Sequence, residues 1–140
     1  MDYNDHTKHD GSSYLAHFNG SEPFRQEKYT YATTDWGERA RKIFSENREK
    51  PQFVYLSFNA PHEPVTAPGW LKKPFREMYP KLSETRIEFL AAVKEIDRQI
   101  RFLHQTLEKI QRETIIIFQS DNGASILEKG SGLLKLNTKS

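Results

Sequence analysis

The sequence predicts an α/β fold built on a parallel βαβ unit with one long amphipathic helix. Three observations predict it. Residues 52–58, Gln-Phe-Val-Tyr-Leu-Ser-Phe, form a nearly continuous apolar run. Residues 114–119, Thr-Ile-Ile-Ile-Phe-Gln, form a second, β-branched almost throughout. Between them, residues 84–110 carry a sustained helical period. Continuous apolar runs suit strands buried on both faces, as in a parallel sheet. Strand, long helix, strand then reads as two parallel strands joined by a right-handed crossover.

Each element follows in order. Residues 1–30 hold Asp, Asn, Gly, Ser and Pro with no sustained period, and read as an irregular or extended segment that needs a partner surface. Residues 31–125 form the core. Its first helix is expected at 35–47, where Thr33, Thr34 and Asp35 offer N-caps. Trp36, Ala40, Ile43 and Phe44 then recur on one face. The first strand ends abruptly in Asn59-Ala60-Pro61-His62-Glu63-Pro64, and Pro68, Gly69, Pro74 and Pro80 extend the loop. Ser83 caps the long helix, with Glu84 in its first turn. Its apolar stripe is Ile87, Leu90, Val93, Ile96, Ile100, Leu103, Leu107 and Ile110. Its polar face carries Arg86, Lys94, Glu95, Arg98, Arg101, Glu108 and Lys109. Too few heptads are present to prefer a coiled coil. The second strand ends in Ser120-Asp121-Asn122-Gly123, and residues 126–140 read as a degenerate or truncated tail.

Composition sets limits. With 140 residues there is room for one domain. Only 36% are hydrophobic and 29% are charged, so core material is thin for this length, as expected for a segment of something larger. No run approaches the roughly 20 apolar residues that span a bilayer. The start, M-D-Y-N-D-H-T-K, has no apolar core of a signal peptide. A net charge of +2, without a basic cluster, argues against nucleic acid. There is no cysteine, which removes disulfides, thiolate metal sites and cysteine nucleophiles.

The two strand ends carry the chemistry. Parallel strands end on one edge of the sheet, where ligands bind in open α/β folds. Asp121 and Asn122 are adjacent oxygen donors suited to a hard cation such as Ca²⁺ or Mg²⁺, although calcium takes 6–8 oxygens and D-N-G alone reads more readily as a turn. His62, pinned between two prolines, can donate to an anion or carry a proton; alone it reads as a surface histidine. The βαβ geometry makes the pair more persuasive, because it brings the two ends to one crevice. Asn19-Gly20-Ser21 is a glycosylation sequon, meaningful on a secretory route.

F-V-Y-L-S-F-N-A-P-H-E-P, the helix with V-K-E-I-D-R-Q-I, and T-I-I-I-F-Q-S-D-N-G, in this order and spacing, resemble the sulfatase family. The arylsulfatase B-like branch is the nearest, and the likeness reaches back through Y-T-Y-A-T-T-D-W-G-E-R-A to cover roughly residues 14–125. The resemblance implies an alkaline-phosphatase-like α/β fold and calcium-dependent hydrolysis of sulfate esters, often on sulfated sugars such as glycosaminoglycans. It implies a metal pair at Asp121 and Asn122 and a substrate-side histidine at His62. By ungapped count it places a sulfate-contacting lysine at Lys139, where Leu133, Leu134 and Lys135 replace the branch's W-P-L. It also implies a lysosomal or secreted route, with which a glycan on Asn19 is compatible.

The family's early aspartate pair, its formylglycine segment C/S-x-P-x-R and its lysine-histidine pair have no counterpart here. Ser21-Glu22-Pro23-Phe24-Arg25 fits S-x-P-x-R, but it lies close to His62 and no metal motif precedes it, so Ser21 is not expected to be the nucleophile. The expectation is a central fragment of an arylsulfatase, inactive by itself. A phosphodiesterase of the same superfamily lacks its expected D-x-x-x-H here. A non-catalytic interaction module or pseudoenzyme, built on the long helix, is the remaining alternative.

Overall fold

A computed structural model describes residues 17–19, 21–24, 31–46, 49–62 and 65–123. Its elements are β1 (His17–Asn19), β2 (Glu22–Phe24), α1 (Ala32–Glu46), α2 (Gly69–Met78) and α3 (Glu84–Lys109). β1 and β2 pair antiparallel, His17 opposite Phe24 and Asn19 opposite Glu22. Residues 1–30, read as irregular, therefore contain a short hairpin, and Ser21 lies in its turn.

α1 begins where the Tyr31 carbonyl accepts the Asp35 N–H at 3.0 Å. Asp35 sits in the first turn, favourable at the positive end of the helix dipole, and pairs with Arg39 at 2.8 Å. The buried face is Ala32, Thr33, Gly37, Ala40 and Phe44, so the expected stripe is rotated: Trp36 is half-buried and Ile43 exposed. Gly37 explains the rotation. A β-carbon there would come within 2.8 Å of Gln99 Cβ and Cδ, so glycine lets α1 lie directly on α3.

α2 was expected to be loop, and the correction has a tertiary cause. Pro68 stands just before the helix, and its carbonyl accepts from Leu71 and Lys72. Pro74 within the helix cannot donate its hydrogen bond and carries a cost. Packing offsets it. Leu71 is buried with Tyr31, Ala67 and Ala91, and Phe75 packs against the cluster. Lys72 bridges Glu84 at 3.0 Å and Glu88 at 2.8 Å, and Arg76 pairs with Glu84, so α2 is clamped to the first turns of α3.

α3 matches its expected span closely. Ser83 Oγ accepts the Arg86 N–H at 3.3 Å as the N-cap. At the far end Gln111 turns left-handed (φ 50), its N–H reaches the Glu108 carbonyl at 3.0 Å, and the Arg112 N–H reaches the Leu107 carbonyl at 3.4 Å. That is the Schellman arrangement, with glutamine where glycine is usual. The buried face runs through Ile87, Ala91, Ala92, Glu95, Gln99 and Leu107. Much of the expected apolar stripe is only half-buried, and Val93 is 40% exposed. α1 and α2 occupy the small-residue face beside that stripe, which puts Glu95 inside rather than on the solvent side.

The two expected strands carry no ladder among the described residues, so the hairpin is the sheet seen there. Along 52–58 burial alternates. Gln52, Val54, Leu56 and Phe58 are half-buried while Phe53, Tyr55 and Ser57 are exposed, the period of an extended chain with one covered face. Residues 114–119 are exposed throughout, with Ile115 at 89% and Ile117 at 82%. Burial on both faces, expected for each run, is therefore absent here, because the neighbours that a parallel strand needs are not among the described residues. The two runs start side by side: Arg112 Nη1 donates to Gln52 Oε1 at 2.7 Å, Arg112 Nη2 donates to the Lys50 carbonyl, and Gln52 Nε2 donates to the Ile43 carbonyl at 3.3 Å.

Candidate functional site

His62 closes a tight turn at the end of the first extended run. Its N–H donates to the Asn59 carbonyl at 2.9 Å, and the Ala60–Pro61 bond is cis. The side chain is exposed. Beneath it a cavity of about 10 Å³ lies between the turn and the start of α1, with Tyr31, Thr33, Val65 and Ala92 in its wall. That holds one water at most, so the cavity is a packing seam rather than a substrate pocket.

Asp121 and Asn122 end the second extended run and are exposed. Asp121 Oδ1 accepts the Asn122 N–H at 2.9 Å, Ser120 Oγ donates to the Asn122 carbonyl at 2.5 Å, and Asn122 Nδ2 donates to the Gly123 carbonyl at 2.8 Å. The segment is a locally bonded turn that presents oxygen donors of the right chemistry for a hard cation. Among the described residues no three histidine, aspartate or glutamate side chains group as metal ligands. Two such donors have the chemistry a hard cation takes and fall short of the 6–8 oxygens of a whole calcium site. Lys139 lies outside the described residues. Asn19 stands at the end of β1, opposite Glu22. Ser21 is exposed in the hairpin turn, and Arg25 of its motif is outside the described residues.

Sequence reasoning missed the polar centre of the helical layer. Glu95 is fully buried and Gln99 is 1% exposed. Arg98 grips Glu95 with two bonds of 2.7 Å, Thr34 Oγ1 donates to Glu95 Oε1 at 2.6 Å, and Gln99 Nε2 donates to it at 2.7 Å. Arg41 Nη1 in turn donates to Gln99 Oε1 at 2.6 Å. Burial alone would raise the Glu95 pKa; the bonds from Arg98, Thr34 and Gln99 outweigh it and hold the carboxyl below its ordinary range. The Arg98 guanidinium also stands 5.1 Å from the Trp70 ring centre and 5.4 Å from that of Phe102. A glycine in mid-helix, Gly37, was the available signal that a close helix crossing lay there.

Comparison with known proteins identifies a family. The chain is 33% identical over 91 residues to an uncharacterized sulfatase, YdeN, of Escherichia coli (strain K12), covering 64% of this chain and 15% of that protein. It is 26% identical over 136 residues to arylsulfatase J of Mus musculus, covering 93% of this chain and 22% of that protein. The chain therefore spans less than a quarter of the length of either relative. No solved structure gives a significant match. The Sulfatase sequence profile matches residues 1–140, and on that match the chain belongs to the sulfatase family.

Proposed function

We propose that this chain contributes one wall of a sulfate-ester hydrolase of the arylsulfatase B-like branch, acting on sulfated glycans such as glycosaminoglycans. The observation that carries the reading is the family match across residues 1–140. In it, Asp121 and Asn122 supply part of the shell of a Ca²⁺ ion, His62 donates to the sulfate group, and Lys139 contacts it. A bound calcium would offset the negative charge of the sulfate as a Lewis acid. His62 suits its role because the Asn59–His62 turn presents an exposed imidazole whose ring N–H can donate to an anion. The formylglycine nucleophile comes from a segment outside these 140 residues, and the greater length of both relatives supports that. The route is lysosomal or secreted, with Asn19 as the glycan acceptor.

The test is the mass and peptide map of the native protein, captured with an antibody to residues 83–112. A species much heavier than 16.4 kDa, carrying a formylglycine peptide, is expected. A native species of 16.4 kDa would instead favour a pseudoenzyme or interaction module. The purified 140-residue polypeptide should show no turnover of a chromogenic aryl sulfate. Calcium-dependent turnover abolished by Ser21→Ala would reverse the assignment of the nucleophile.

A further inference from the structure

We infer that Tyr31 is a positioning residue that clasps the loop bearing His62 onto the start of α1. Its bearing on sulfate rests on the role of His62 proposed above; the clasp itself rests on geometry. Three attachments of Tyr31 join the loop to the helices. Its carbonyl accepts the Asp35 N–H and so starts α1. The residue is 6% exposed and packs with Ala67, Leu71 and Ala91. Its hydroxyl donates to the Thr66 carbonyl at 3.0 Å, 35 residues further along the chain.

The loop needs such a tie. Its first limb is closed on itself by the His62 N–H to Asn59 carbonyl bond, and its last limb enters α2 at Pro68. Between them Thr66 is exposed, and its carbonyl is held by the tyrosine hydroxyl. Tyr31, Thr66 and His62 also line the same small cavity, so the tie and the histidine share one packing seam. The buried ring supplies a rigid anchor with two side-chain torsions, and the hydroxyl supplies the register. Removing the hydroxyl leaves the ring packed and lets water reach the Thr66 carbonyl. The global cost is then small, while the loop loses its tether.

Amide hydrogen exchange in the full 140-residue chain tests this. Tyr31→Phe should speed exchange at the His62 N–H by about 5-fold while leaving Glu95, in the middle of α3, unchanged. Leu71→Ala is the packing control. It keeps the hydroxyl, loosens the same cluster, and should also speed the Tyr79 N–H at the end of α2, which Tyr31→Phe leaves alone. An unchanged His62 rate in Tyr31→Phe, or faster exchange throughout the chain, would overturn the clasp. A titration with inorganic sulfate, followed at the amides of residues 59–62, separates the two claims. The midpoint should rise about 3-fold in Tyr31→Phe, and the response should vanish in His62→Ala. If wild type and His62→Ala respond alike, the sulfate role of His62 fails, and exchange alone still decides the clasp.

Discussion

Glu95 is charged, lies in the middle of a helix and has no exposed surface, an arrangement that survives only because every bond offered to it is charge-assisted or buried. Removing one member of such a set leaves an unpaired charge, so the surrounding geometry is held tightly. Gly37 feels that constraint most. Alanine there would gain helix propensity of up to about 1 kcal/mol, but its methyl would strike Gln99, which is bonded on both sides and cannot move away. Gly37→Ala should therefore lower stability by about 1–2 kcal/mol, read from urea denaturation.

Glu84 shows the opposite, exposed kind of ion pair. Hydrogen bonds from Arg76, then from Lys72, bring its pKa down from 4.5 to about 2. A carboxyl lowered on folding stabilises the native state above its unfolded pKa, and the benefit disappears as pH falls through the folded value. Stability should therefore drain away between pH 4.5 and about 2, and Glu84→Gln should flatten that part of the pH profile. Solvent and salt screen this pair, so the effect should shrink in high salt. Urea midpoints at pH 6 and pH 3, with and without added salt, would measure it.

At the scale of elements, α3 is the beam on which α1 and α2 are laid. Its start was legible because a serine cap and an acidic first turn are local signals that require no neighbour. Its end is less economical. Gln111 adopts the left-handed conformation at a position where a side chain costs energy and glycine does not. Gln111→Gly should raise the stability of the helical layer by about 1 kcal/mol, visible as a higher thermal midpoint of the helix signal. α2 lies at the other extreme. Two prolines and a glycine disguise it, and it exists because Leu71 and Phe75 find a buried surface and because Lys72 and Arg76 find Glu84 and Glu88.

At the scale of the whole molecule, the helical layer is organised while the extended runs are left uncovered on at least one face. Phe53, Tyr55, Ile115, Ile117 and Phe118 are all at least 74% exposed, an apolar content that the alkaline-phosphatase-like α/β fold implied by family membership would bury in its sheet. An extended, apolar edge without a partner associates with other copies. The 140-residue chain should self-associate with rising concentration in sedimentation velocity runs, and Ile117→Lys should suppress that without changing the helix signal.

Local signals alone determined the existence of α1, the span of α3 and the polar breaks at His62 and Asp121-Asn122, but α1 starts at Ala32, so Thr33, Thr34 and Asp35, expected as caps, lie inside it. Caps, periodicity, β-branching and proline placement act over a few residues, so a single sequence displays them. Family membership was legible for the same reason, since it rests on the order and spacing of such strings. Tertiary structure decided the rest. Which face of α3 is buried depended on Gly37 admitting α1, and the burial of Glu95 followed from that choice. The existence of α2 depended on a cluster shared with Tyr31 and Ala91. The tie from Tyr31 to Thr66 joins groups 35 residues apart, a pairing that no local pattern encodes because only the packed helices bring the hydroxyl and the carbonyl together.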